Sequence, residues 1–598
     1  MRDAIGKLSA PAAKKWGRRI FLLLYFAEAA AILGMLLWKS RYGFGDADES
    51  FYLATPLRFL RGDRMLLDEW HLSQFASFTM IPEMWVYLLL SPSTEGMILT
   101  FRIAFAVLWS AGSLFLYFRA RSIHEFGARC ASLFLQCYAP FGIMAFSYNS
   151  LGILYLVNSA VFLLCARRAK RLQFALSGVF FAGAVLCCPY LALVYLLYSL
   201  ALLCAALRKK NPVIPTNGTE ARVCWTYFTA GAALLAALFL AALLRGGSPR
   251  DLLASLSHAL TDAEHNEFSV LGKTGDYFGR MGDSNAFFLP CAGAILLMIP
   301  VTLRWRRLSG LWLGMVCAAA AVYLRRFLQE YAYPNYLMFP ATLIGLYVLA
   351  VTRRPLTRWV GGLWLVPGVL YSYCLNFSSN QYFYAVSSAC SVSSVAAFLM
   401  MWLYAEELRD AARAEDGEGS GHPAARVFAR RGGALALFAV LAFFAVQMRY
   451  EIPIRVQTVY WEPGLMEYEE QAEMDEGPEK GIIATAKKAK KYRRLYQDVR
   501  QLNHQRTLFL SEQIWMYLVN ENENAAYSGW LWRVNSYAMN RLKEYYATRP
   551  GKEPEVIFLE KEFKKMLKYF DPEDFRIEKL ESGNYLITPL SPGAGWDA

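Results

Sequence analysis

The feature that most constrains this chain is its succession of about thirteen apolar runs, each close to the ~20 residues an α-helix needs to cross ~30 Å of hydrocarbon. By apolar length they fall at 20–38, 97–118, 128–146, 150–166, 172–188, 189–207, 225–244, 286–303, 308–324, 335–351, 358–375, 385–404 and 433–448. Backbone N–H and C=O groups have no partner in lipid, so such a chain is predicted to be a polytopic helical bundle. Composition agrees: of 598 residues, 56% are hydrophobic, 15% aromatic and only 19% charged, too apolar for a soluble protein of this length.

The formal net charge of +13 would suit nucleic acid, but the bases sit in short clusters between the apolar runs, as juxtamembrane anchors do. Nucleic-acid binding is therefore excluded as a reading. All cysteines lie between Cys130 and Cys390, within or beside apolar runs. They read as small buried hydrophobes, without a disulfide framework or a thiolate zinc site.

The first run, Ile20–Trp38, follows Lys14, Lys15, Arg18 and Arg19. It exceeds the ~7–15 apolar residues of a secretory signal and reads as a signal anchor with the N-terminus inside. The basic clusters Arg119/Arg121/Arg129, Arg167/Arg168/Lys170/Arg171, Arg208/Lys209/Lys210, Arg304/Arg306/Arg307, Arg353/Arg354/Arg358 and Arg430/Arg431 then fall on that same side. That is a positive-inside pattern, predicting an integral plasma (inner) membrane protein. An odd number of spans puts the tail from 449 outside, together with the loops 39–96, 245–285, 325–334 and 376–384. The expected division is 1–448 as a membrane domain, with an outer first loop 39–96 and a flexible cytoplasmic linker 405–432, and 449–598 as an outer domain. In that tail Glu555–Leu559 reads as a buried strand, Lys561–Tyr569 as a helix and Tyr585–Thr588 as a closing strand. The fold class expected is mainly α, a transmembrane bundle carrying a small extracytoplasmic α/β domain.

Chemistry is concentrated in the first outer loop. Gly45-Asp46-Ala47-Asp48-Glu49-Ser50-Phe51-Tyr52 packs three carboxylates just beyond the first span, and Asp63, Asp68, Glu69, His71 and Gln74 follow. Phe51, Leu53, Leu57 and Leu60 suggest a short amphipathic helix lying along the interface. Its N-terminus would hold Asp48 and Glu49 where backbone N–H groups and the helix dipole favour negative charge, which suits a catalytic base.

An Asp48-Glu49 pair followed by Tyr52, leading from the first span into an amphipathic helix, resembles the first outer loop of the GT-C glycosyltransferases. The branch it resembles is that of the protein O-mannosyltransferases and the aminoarabinose transferases of lipid A. Asp68-Glu-Trp-His-Leu-Ser-Gln74 with Pro82 is similar in position to the second part of that loop. The resemblance covers residues about 45–85 in motif, and the membrane region in architecture. It implies a GT-C fold and inverting transfer of a sugar from a polyprenyl-phosphate donor to a lipid, glycan or protein acceptor at the outer face. Asp48 would be the base, and Glu49 would orient the acceptor or hold the loop. Arg325 and Arg326, against the positive-inside trend, would bind the leaving phosphate. His71, Gln74, Tyr148, Asn149 and Tyr333 are the remaining candidate substrate contacts. Asp46-Ala-Asp48 is formally a metal-holding DxD pair, but the chain lacks a Trp-Trp-Asp motif in its tail, so no metal or other cofactor is expected.

Each residue also has a plainer reading: a solvated acidic loop, interfacial arginines that snorkel, a packed histidine, an Asn turn and an aromatic belt. Two other functions share the architecture. A flippase of lipid-linked saccharides would be expected to show intramembrane charges or symmetric broken spans, and Glu28 is the main acidic residue deep in a run. A surface polysaccharide polymerase would not be expected to carry its acidic loop directly after the first span.

Overall fold

The computed structural model describes residues 10–598 except 46, 139, 167–168, 208–220, 261–269, 284–287, 328–337, 379–381, 418–422, 458–469, 503–504, 520, 532, 592, 594 and 597–598. In chain order the helices of the membrane region begin with α1 (Ala10–Lys39), α2 (Asp48–Leu60), α3 (Gln74–Leu90), α4 (Met97–Ala120), α5 (Glu125–Cys137) and α6 (Tyr148–Leu164). Next come α7 (Lys170–Cys187), α8 (Ala192–Leu207), α9 (Ala221–Gly246), α10 (Pro249–Leu260), α11 (Val270–Asp283) and α12 (Phe288–Arg304). The last are α13 (Ser309–Phe327), α14 (Phe339–Val351), α15 (Pro355–Ser378), α16 (Tyr382–Gly417) and α17 (Pro423–Gln457).

Among the described residues eight helices are long and apolar enough to cross a membrane, which makes the chain an integral membrane protein. The expectation of about thirteen spans is corrected in its detail. Four further apolar helices have only 10–17 residues. The run at 128–146 is not one helix, because α5 stops at Cys137 before Pro140 and a left-handed Gly142. Proline removes an N–H and restricts the residue before it, so the helix cannot run through. Cys130, Phe134, Leu135 and Cys137 are fully buried, so α5 packs inside the bundle and need not match the bilayer thickness.

The centre of the bundle is α16, whose span Ala389–Arg413 is 94% buried, against 17% for the peripheral span Ala221–Gly246. Small residues let backbones approach. Gly178 lies against the Phe228 carbonyl and Gly231 against the Ala175 carbonyl, so any side chain at either would force α7 and α9 apart.

The tail folds around the sheet β4-β3-β5-β7-β6, with β3 (Arg506–Leu510) parallel to β4 (Glu523–Asn524) and β5 (Val556–Leu559), and β7 (Tyr585–Pro589) antiparallel to β5 and β6 (Phe575–Lys579). Every residue of β5 is buried, as a continuous apolar strand requires. Helix α18 (Ala486–Val499) turns Ala489, Tyr492, Leu495 and Val499 inward at helical spacing, and α19 (Ser536–Thr548) is capped by Asn535.

Tail and first loop form one body. The strand pair β1 (Gln471–Glu473) and β2 (Ile483–Thr485) extends to the loop through Gly43 N–H to Ile483 O (2.9 Å) and Ile483 N–H to Arg41 O (2.6 Å). Trp70 N–H donates to Tyr527 O (2.8 Å), Arg549 pairs with Asp68 (2.6 Å) and Lys552 with Asp63 (2.5 Å). Buried Arg58 is the hub, donating to Asp63 (2.5 Å), Glu69 (2.6 Å), Asp68 O (2.7 Å) and Ala526 O (3.1 Å). Burial alone would raise the Asp63 carboxyl, but Arg58 and Lys552 outweigh it and hold it below the usual carboxylate range. Burial pushes Glu69 the other way.

Removing the hub charge in Arg58→Met leaves buried Glu69 without its cation and is expected to cost about 3–5 kcal/mol. Thermal unfolding of the purified chain, with limited proteolysis of the tail, checks it. Asp63, with its folded-state value depressed, contributes fully at neutral pH, and that contribution is lost as pH falls through the depressed value. Asp63→Asn is therefore expected to release its tail more readily than the unaltered chain at neutral pH, and the difference to vanish as pH falls through the depressed value, measured as protease sensitivity against pH.

Candidate active site

The acidic stretch sits between α1 and α2 and owes its shape to one arginine. Arg102, on α4, is 4% exposed and donates through Nε and Nη2 to the two oxygens of Glu49, both at 2.6 Å. Its other N–H groups reach the carbonyls of Gly43 (2.8 Å), Ser40 (3.0 Å) and Tyr42 (3.3 Å). All five donors of the guanidinium are thereby used, tying the end of α1, the turn at Gly43 and the first turn of α2 to one point. Gly43 has φ of 86°, a left-handed conformation that glycine adopts at least cost. Lys39, also buried, shares a small cavity with Glu49 and Arg102.

Asp48 is the first residue of α2 and half-buried, while Glu49 beside it is buried. Among the described residues no side chain caps this helix end, so the first-turn N–H groups and the dipole act on whatever charge lies there. Tyr52, one turn on, stacks edge-on against Tyr148 (6.0 Å between centroids). Burial, then the neighbouring Asp48 and Tyr148, push the Tyr52 phenol well above its ordinary value, so it acts only as a neutral hydroxyl. Around this group lie Ser50 Oγ, Asn149 Oδ1 and Tyr371 Oη, buried without hydrogen-bond partners among the described residues. Each such atom costs about 1–3 kcal/mol if left unsatisfied, and a polar ligand would offset that. Gly152 lies directly under the Tyr371 hydroxyl, where a Cβ would collide with it.

The tail completes the wall. Phe51 meets His71 (4.9 Å) and Trp530 (5.2 Å) edge-on. Lys488 donates to Phe44 O (3.1 Å), bringing a cation to the turn that leads into the acidic stretch.

The sequence-based site is thus divided. Asp48, Tyr52, Tyr148 and Asn149 come together. His71 joins the Phe51–Trp530 wall, its Nδ1 taken up by Ser73 Oγ (2.6 Å) and Ser73 N–H (3.2 Å). Two more of these residues are held within the loop itself. Glu49 is buried with both oxygens held by Arg102, an arrangement that suits the loop-holding one of its two expected roles. Gln74, fully buried, accepts from Leu66 N–H (2.7 Å) and donates to Glu69 O (2.7 Å), bracing the loop. Arg325 is exposed in the last turn of α13. The Arg326 side chain, Asp46 and Tyr333 lie outside the described residues, so the Asp46–Asp48 pair is not placed. Among the described residues no three His, Cys, Asp or Glu side chains gather as a metal site. The residues not foreseen are Arg102, Lys488 and Tyr371. A charge inside the apolar run 97–118 was the available signal for Arg102.

No protein-family model and no curated protein matches this chain. Among solved structures it is similar to the archaeal oligosaccharyltransferase AglB from Archaeoglobus fulgidus in complex with an inhibitory peptide and a dolichol-phosphate, at 12% identity and a TM-score of 0.43, over 95% of this chain and 74% of that one. It is also similar to the Archaeoglobus fulgidus oligosaccharyltransferase in complex with Zn and sulfate, at 12% identity and a TM-score of 0.39, over 94% and 73% of the two chains. The likeness is distant, and no residue role follows from it.

Replacing Arg102 by Gln strands a buried carboxylate and is expected to destabilise by about 3–5 kcal/mol. The pair Glu49→Leu/Arg102→Met, which removes both charges, recovers part of that loss. Thermal unfolding of the three variants measures the coupling.

Proposed function

We propose that this chain is a membrane glycosyltransferase of the GT-C class, moving a sugar from a polyprenyl-phosphate donor to a hydroxyl acceptor at the extracytoplasmic face of the inner membrane, with Asp48 as general base. The observation that carries it is a half-buried carboxylate on an uncapped helix start, fixed by its neighbour's bidentate pair with Arg102. The resemblance of residues 45–85 to the first loop of that class supports the same reading.

Asp48 takes the proton of the acceptor hydroxyl as its oxygen bonds to the anomeric carbon. The bond from that carbon to the phosphate oxygen breaks on the opposite side, so configuration inverts and polyprenyl phosphate leaves. Developing charge on the phosphate calls for fixed cations. Lys488 near the Gly43–Phe44 turn and exposed Arg325 are the groups proposed for it, with Tyr148 and Asn149 hydrogen-bonding the sugar and His71 beside the aromatic wall. Acceptor class, whether lipid, glycan or protein, is left to the assay.

Asp48→Asn keeps the volume and removes the base. Transfer of labelled sugar from a polyprenyl-phosphate pool is expected to fall at least ~100-fold at equal abundance, with donor binding within a few fold. Unchanged transfer overturns the assignment, and protein-dependent movement of the sugar-lipid across vesicles without transfer favours a flippase instead. Arg325→Gln is expected to raise KM for the donor more than it lowers kcat.

A further inference from the structure

A second cavity, of about 660 Å³, lies at the other end of the bundle. Arg102 and Arg121 mark the two levels along one helix, and the nineteen-residue separation at ~1.5 Å per residue puts the cavity about 28 Å from the Glu49 pair, across the membrane from Asp48. Its size is within the ~300–1,000 Å³ typical of small-molecule sites.

One side is polar, formed by Arg121 after α4, His124 and Glu125 at the start of α5, and Glu406 and Arg409 on α16. The other is apolar, with Trp402 from α16 and Phe438 and Leu441 from α17. Phe438 is 68% exposed and Leu441 44%, so this wall continues into the lipid-facing surface.

The charges do not cancel within the polar side. Glu406 is met by Arg354 (3.1 Å) and by His124 Nε2 (3.4 Å), and Glu125 by Arg18 (3.6 Å). His124 Nδ1 accepts from Gly127 N–H (2.9 Å), which leaves its proton on Nε2, toward Glu406. With both carboxylates answered, Arg121, which lies over the Phe118 ring at 5.0 Å, remains a surplus cation, and Arg409 is held only by long pairs with Glu406 and Asp410. Arg409 reaches Glu406 at 3.5 Å through Nη2 and Asp410 at 3.9 Å through Nε, and that buried Nε has no hydrogen-bond partner among the described residues. Backbone contact between Gly433 and Arg409 brings α17 close enough to close this side, because a Cβ at Gly433 would strike the Arg409 backbone.

A ligand here must carry one or two negative charges, accept from a guanidinium, and continue into an apolar part at bilayer depth. We infer that the cavity binds one anionic glycerophospholipid, its phosphate between Arg121 and Arg409 and its first acyl carbons against Trp402, Phe438 and Leu441. Basic pockets between spans on the cytoplasmic side, where anionic lipids concentrate, take such headgroups. This site is separate from the donor site proposed above and does not depend on it.

The test uses the full chain, delipidated in neutral detergent and titrated with phosphatidylglycerol or phosphatidylcholine under native mass spectrometry. One phosphatidylglycerol is expected to bind the unaltered protein. Binding is expected to weaken about 10-fold or more in Arg121→Gln/Arg409→Gln and in Leu441→Trp, which fills the mouth and leaves every charge in place. Arg304→Gln/Arg307→Gln, equally basic and outside the cavity, is expected to bind as the unaltered protein does. Millimolar inorganic phosphate is expected not to displace the lipid. Undiminished binding in Leu441→Trp, equal loss in the Arg304/Arg307 variant, equal affinity for phosphatidylcholine, or displacement by phosphate would each overturn the inference. Should the double arginine variant unfold, Leu441→Trp decides.

Discussion

Five hydrogen bonds from Arg102 hold the face that carries Asp48 in register. Taking a guanidinium and a carboxylate out of water costs several kcal/mol per ion, recovered only when geometry is good and the remaining donors are satisfied. Here the Glu49 pair is bidentate, and the three other N–H groups find the carbonyls of Ser40, Tyr42 and Gly43. A lysine, with three donors on a single nitrogen, could not span those positions. The consequence falls on Asp48: its backbone is fixed on both sides, by the turn before it and by Glu49 after it, while its side chain keeps access to the surface.

The bundle and the tail divide the remaining work. Spans buried around α16 need small residues more than length, so short helices such as α5 and α14 are tolerated inside, while α1 and α9 carry lipid-facing surface. On one membrane face the loop 39–96 and the tail merge through strand bridging and the Arg58 network. On the other, basic ends of helices collect around the cavity bounded by Arg121 and Arg409. The two ends therefore present different chemistry: buried, fully coordinated ion pairs at one, and cations with donors to spare at the other.

Much of this architecture is legible in the sequence, because an apolar run near 20 residues has few other uses. Twelve of the thirteen runs contain an apolar helix of 10 residues or more. The run at 128–146 misled because hydrophobicity alone does not register a break that Pro140 and Gly142 make inside a buried region. In the tail, Glu555–Leu559 was readable as a strand, being continuous and bounded. Leu508–Val519, the end of a strand followed by tight helical turns at Ile514–Leu518, is buried on both faces and so carries no period to read. At the site, the position of Asp48 at a helix start follows from local pattern. The part played by Glu49 does not, because its partner stands 53 residues away within an apolar run. The polar cluster at Asp63–Gln74 looked like chemistry for the same reason: its partners, Ala526, Arg549 and Lys552, come from the far end of the chain, and Gln74 is satisfied only by the folded loop itself.

That last separation bears on how the molecule is made. Asp68 and Arg549 are 481 residues apart, and at ~5–20 residues per second a ribosome needs roughly 25–100 s to travel between them. Throughout that interval the first loop stands on its side of the membrane with Arg58 lacking the Ala526 carbonyl and with Asp63 and Asp68 lacking their cations from the tail. The face that holds Asp48 is therefore assembled last, when the tail has docked, so a nascent chain that stalls short of it carries an unfinished loop.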